Sequence, residues 1–101
     1  MSDRENVDLQ PNNVRSFAWA NDSRHLFFVT ENSAKRPHKV WRQNVISGEQ
    51  SLVFEERDPL YSVSVSRSRS DKYIFVYSLS TTTNEISYVS ADDPMQPLRV
   101  F

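Results

Sequence analysis

Fifteen serines and two histidines are the residues of this 101-residue chain whose types could combine for nucleophilic chemistry. A serine hydroxyl attacks only where a base takes its proton and where donors hold the resulting oxyanion. His25 lies inside an apolar run and His38 beside Pro37, and neither stands in a local catalytic signature. The serines alternate with apolar residues, as in YSVSVS over Tyr61–Ser66, which is the pattern of outward strand positions and turns. The single glycine, Gly48, removes two further chemistries. A nucleophile elbow needs small residues around its serine, and a phosphate cradle needs several glycines to bring amides to the anion. No catalytic residue is therefore assigned.

Metal ligation fares no better. His25 and His38 lack the i, i+4 spacing of a helical zinc site, and the chain has no cysteine. The carboxylate pairs Glu55-Glu56 and Asp92-Asp93 are adjacent, so on a strand their members point to opposite faces. Each is read as a solvated pair of charges, and no metal or cofactor is assigned. The run SVSVSRSRSDK, Ser62–Lys72, resembles an RNA-contacting tract, but such tracts are long and disordered whereas this one is flanked by strand signals. With a net charge of -1 there is no positive field to hold nucleic acid. Arg67 and Arg69 are instead expected at a hairpin tip, keeping it soluble. Asn21-Asp22-Ser23 is a formal glycosylation acceptor and is read as a turn. No apolar stretch approaches the roughly 18 residues of a membrane span, so no membrane partner is expected. The absence of cysteine fits a reducing, cytoplasmic setting.

The elements that carry these residues follow from a period-two pattern rich in Val, Ile, Phe, Tyr and Ser. Residues 1–13 are polar and aperiodic, a tail or the end of a preceding element. Strands are expected at Ser16–Ala20, Arg24–Thr30, Lys39–Val45, Ser51–Glu55, Tyr61–Ser66, Lys72–Leu79, Glu85–Ala91 and Leu98–Phe101, with no helix. Asn21 and Asp22 close the first hairpin by accepting backbone hydrogen bonds, and Ser47-Gly48-Glu49 closes another. Pro37, Pro59, Pro94 and Pro97 are expected in connections. The aromatic residues Trp19, Trp41, Phe27, Phe28, Phe54, Tyr73, Phe75 and Tyr77 read as core or sheet-interface groups in preference to a ligand-stacking surface.

The second four strands repeat the first. Trp19 falls on Val65, Val40 on Ile86 and Leu52 on Leu98, while Leu26 falls on Ile74 if RSRSD makes a turn two residues longer than NDS. A four-stranded unit recurring at 40–50 residues is the mark of propeller blades. The expected fold is all-β: two four-stranded antiparallel blades, residues 14–58 and 59–101. A free-standing β-sandwich module that binds a protein partner is the alternative, since eight short strands also suit that class. Exposed outer faces and edges predict self-association or strand exchange.

Trp19–Phe28, WANDSRHLFF, matches the W-x-x-D-S-x-x-[LF]-x-[FY] hairpin of the prolyl oligopeptidase family. Val40-Trp41-Arg42, Glu55-Glu56, Tyr61 and Thr82-Thr83-Asn84-Glu85 extend the likeness across residues 14–101, and it resembles most the propeller of the oligopeptidase B branch. The resemblance implies a cytoplasmic serine peptidase cutting small peptides after Arg or Lys. It also implies a seven-bladed propeller that caps an α/β-hydrolase domain and gates its active site. The family's serine, aspartate and histidine belong to the hydrolase domain, so none carries over to a residue here. The chain then reads as a fragment entering mid-propeller. Its expected partners are the remaining blades and the hydrolase domain, with peptides as substrates of the whole.

Overall fold

A computed structural model describes residues 14–101, with only the backbone of Val14 and Arg15. The polar stretch expected over 1–13 lies outside the described residues. The strands are β1 (Val14–Trp19), β2 (His25–Glu31), β3 (Pro37–Asn44), β4 (Gln50–Glu55), β5 (Ser62–Arg67), β6 (Tyr73–Leu79), β7 (Asn84–Ser90) and β8 (Arg99–Val100). Every expected strand is present within two residues at each end, and no helix occurs among the described residues. Pro37 is the one misplaced proline: it opens β3 opposite Glu31, at a register irregularity. A missing N–H is tolerated at a strand's first residue.

Each sheet is a plain antiparallel meander, β1-β2-β3-β4 (sheet A) and β5-β6-β7-β8 (sheet B). Strand order follows chain order because the connections within each sheet are only four or five residues long, or eight between β7 and β8. Neither sheet has the crossing connections of a Greek-key sandwich. The sheets also share their register, which a sandwich has no reason to show.

That register corrects the expected alignment. Trp19 pairs with Leu26, and Arg67 pairs with Ile74. Arg67, not Val65, is thus the counterpart of Trp19. The two hairpin turns are equal in length. Ala20 N–H donates to the His25 carbonyl and Ser23 N–H to the Ala20 carbonyl; Ser68 N–H donates to the Tyr73 carbonyl and Asp71 N–H to the Ser68 carbonyl. Ser23 and Asp71 take the same left-handed conformation, φ 59 and 62°. The two-residue difference lies in the next loop, since Thr30 pairs with Lys39 while Ser78 pairs with Glu85. Likewise Trp41 pairs with Leu52 and Ser87 with Val100, so Val100 rather than Leu98 matches Leu52.

The core lies between the sheets, where β5 runs against β1, β2 and β3. Ala18, Phe27, Val29 and Val40 from sheet A meet Val63, Val65, Ile74, Val76 and Val89 from sheet B. Small residues at Ala18 and Ala20 let β5 approach closely, while Phe27 fills the space beyond. Val29, Val40 and Ile74 are fully buried. Each such side chain stabilises the stack by about 1.5–3 kcal/mol relative to exposure. Isolated, either sheet would leave this face in water.

Candidate functional site: two polar clasps and an open aromatic face

Two groups of polar side chains tie the sheets together, and the aromatic far face of sheet B lies open among the described residues. The first clasp is built on the β1–β2 turn. Asp22 rigidifies that turn: its Oδ1 accepts the N–H groups of Arg24 (2.9 Å) and His25 (3.0 Å), and its Oδ2 lies 2.6 Å from His25 Nδ1. Burial raises the Asp22 pKa, but the hydrogen bonds from Arg24 and His25, with the His25 charge, outweigh it and leave the carboxyl below its ordinary value. Asn21, the preceding residue, faces the other sheet. Its N–H donates to the Ala91 carbonyl, and its Nδ2 donates to the Asp71 carbonyl and to Asp92 Oδ1, each at 2.8 Å. Arg67, at the end of β5, donates to the Trp19 carbonyl at 3.0 Å, to Asn21 Oδ1 and to Asp71 Oδ1 at 3.1 Å. A guanidinium serves all three because its donors are fixed in one plane.

The second clasp joins the β2–β3 loop to the β4–β5 connection and β6. Asn32 Oδ1 accepts from Ala34 and Arg36 N–H, shaping the loop that carries Arg36. Arg36 donates to the Tyr61 carbonyl (2.8 Å) and the Glu56 carbonyl (3.2 Å). The Glu56 carboxylate accepts the hydroxyl of buried Ser78 at 2.6 Å and the Asp58 N–H at 3.1 Å. Two smaller ties add to these: Val65 N–H donates to Ser16 Oγ at 3.2 Å, and Arg42 reaches the Pro94 carbonyl.

The residues weighed for chemistry take structural positions. Ser68 and Ser80 accept N–H groups of their own turns, Ser90 caps Asp92, and Ser16 and Ser78 bridge the sheets. His25 faces Asp22, and no serine hydroxyl is hydrogen-bonded to either ring among the described residues. His38 Nδ1 is buried without a hydrogen bond.

Two expectations need correction. Glu56 is not a solvated charge but an acceptor for a buried hydroxyl, although Glu55 does lie at the surface with Arg57 at 3.7 Å. Asp92 and Asp93 do stay exposed as expected, although Asp92 accepts from Asn21 and Asp93 from Gln96. Arg67 is a clasp; only Arg69 stays at the tip as a solvating charge. Local spacing could not reveal the roles of Glu56 and Arg67, because the partners that tie them across lie 22 and 46–48 residues away. The one available signal was a charge in β5 at the place where β1 ends in tryptophan.

Of the aromatic residues, Phe27 and Phe28 are buried. Tyr73, Phe75, Tyr77 and Tyr88 line the far face of sheet B, where Phe75 and Tyr88 meet Phe101 edge-on at 5.7 and 6.0 Å. Tyr73, Phe75, Tyr88, Val100 and Phe101 enclose an open cleft of about 230 Å³. This face has no partner among the described residues.

Known proteins share the pattern. Residues 4–101 match the family described as prolyl oligopeptidase, N-terminal beta-propeller domain. Protease 2 of Moraxella lacunata is 38% identical over 87 residues, covering 84% of this chain and 13% of that protein. Oligopeptidase B from Leishmania major superposes with a TM-score of 0.75 at 25% identity, over 83% of this chain and 12% of that one. Oligopeptidase B from Trypanosoma brucei, in a closed form with covalently bound antipain, gives 0.75 at 27% with the same coverage. The chain thus spans only 12–13% of the length of these relatives. By the extent of the family match, this chain belongs to the prolyl oligopeptidase family, within its N-terminal β-propeller domain.

Proposed function

We propose that these two blades are a non-catalytic wall of an oligopeptidase B-like serine peptidase. The whole enzyme hydrolyses small peptides after Arg or Lys in the cytoplasm, and its propeller keeps larger chains from the active site. The observation that carries this reading is the use of the polar side chains. Ser16, Ser78, Asn21, Arg36 and Arg67 all join one sheet to the next. A wall that excludes substrates by size must resist parting between its blades, and charge-assisted hydrogen bonds at both corners of the stack supply that resistance. The resemblance to oligopeptidase B supports the chemistry assigned to the whole.

The test uses a full-length peptidase carrying this segment. Paired Asn21→Ala and Arg67→Ala substitutions loosen the first clasp. Cleavage of a long unfolded protein should then rise relative to a short Arg peptide, whose kcat/KM is unchanged. If the ratio stays constant while hydrogen exchange reports a loosened clasp, the gating role is wrong.

A further inference from the structure

The uncovered face of sheet B is the register counterpart of the face of sheet A that sheet B already covers. Ser64 stands where Ser16 stands, Phe75 where Phe27, Tyr77 where Val29, and Ile86 where Val40. Within the covered interface, Ser16 Oγ takes the Val65 N–H and Asn21 takes the Arg67 guanidinium. On the open face the Ser64 and Arg69 side chains have no partner among the described residues. Arg69 occupies the place of Asn21, each being the residue that follows the first turn position, Ala20 or Ser68.

The propeller reading already seats the next sheet of the repeat on this face; the geometry points to Arg69 as the group that selects it, favouring a sheet whose first strand ends in a carboxylate where β5 ends in Arg67. The Ser64 hydroxyl accepts a backbone N–H of that strand, as Ser16 does now. A guanidinium arriving in the Arg67 position would meet a second guanidinium and lose the amide oxygen that Asn21 supplies. A carboxylate there accepts two parallel N–H groups from Arg69. The aromatic side chains give the contact area on either side. The two interfaces therefore share one geometry but have opposite charge requirements, so that blades cannot exchange places.

The assignment rests on the two sheets being successive repeats, and the experiment separates the two ideas. Phe101 is the counterpart of Val53, so a copy of residues 54–101 appended to the full chain continues the register. Two such proteins are made, with Arg or Glu at the copied Arg67 position, each with Arg69 intact or changed to Glu in the original sheet. The chain has no cysteine. Ser66→Cys on the open face, and its counterpart Ala18→Cys in the covered interface, therefore report burial by thiol-labelling rate.

With Arg69 intact, the appended Glu version should slow labelling of the Ser66→Cys thiol about three- to ten-fold more than the Arg version, and Arg69→Glu should reverse that order. Equal protection in all four proteins would leave the seat in place and overturn the charge selection. Labelling of the open-face thiol at the free rate in all four, with the Ala18→Cys thiol still protected, would overturn the seat itself. Rapid labelling of the Ala18→Cys thiol would show that the repeats do not stack and would overturn the underlying reading. Protection of the Ser66→Cys thiol in the unextended chain that grows with concentration and ignores Arg69→Glu would make a second copy the occupant, and would also overturn the selection.

Discussion

Arg67 donates a hydrogen bond at 3.0 Å to the carbonyl of Trp19, the residue that holds its own position one repeat earlier. Equivalent places in two stacked sheets thus do different work. The strand end that is an indole in sheet A becomes, in sheet B, a cation reaching back over the interface. Repetition sets the geometry, and the departures from it set which sheet meets which.

Arg67→Ala should lower the unfolding free energy by about 1–2 kcal/mol, because a charged donor to two acceptors in the preceding sheet is lost. Arg67→Lys should recover less than half of this, since an ammonium is a point charge without the planar fork. Arg69→Ala, at the solvated tip, should change stability by no more than about 0.5 kcal/mol. Urea denaturation of the three variants measures all of these.

Ser78 and Glu56 should be energetically coupled. The Ser78 hydroxyl is buried, and its acceptor is the Glu56 carboxylate at 2.6 Å. A double-mutant cycle with Ser78→Ala and Glu56→Gln should give a coupling of about 0.5–2 kcal/mol. Strict additivity would mean that Glu56 is held by its Asp58 N–H and not by the second sheet.

Asp22 predicts an acid-sensitive turn. Its carboxyl titrates below the ordinary 3.8 in the folded chain, so its stabilisation is complete above that value and is lost as pH falls through the lower, folded value. Asp22→Asn removes this contribution, so the stability difference between the two proteins should shrink as pH drops below 3.8. A difference that stays constant from about pH 6 to acid unfolding would contradict the assignment.

Gly48→Ala should cost about 1–2 kcal/mol for conformational reasons alone. The residue has φ +83° with nothing within 4 Å of a built Cβ, so no clash contributes. Gly48→Asn should cost less, since asparagine tolerates left-handed backbone. Thermal unfolding of both variants decides it.

The strands were legible in the sequence because each carries its own evidence. Alternation in YSVSVS and KYIFVY, and turn residues such as Asn21-Asp22 and Gly48, act within a few positions. The inter-sheet ties were not legible. Nothing beside Asn21 announces that its amide reaches Asp92, and a surface pair such as Glu55-Glu56 reads the same whether or not one member turns inward onto Ser78. The misaligned Trp19 has a similar cause. RSRSD against NDS puts the two-residue difference in the first turn, and only hydrogen-bond register shows that the extra residues sit in the Asn32–Arg36 loop. That loop carries Arg36 into the second clasp.

The claim that these blades hold no chemistry of their own meets its most direct test in the hydrolysis of chromogenic Arg and Lys peptides by the purified 101-residue chain. The account predicts a rate indistinguishable from buffer. Turnover that follows the chain through purification and disappears on substitution of one of its serines would contradict it.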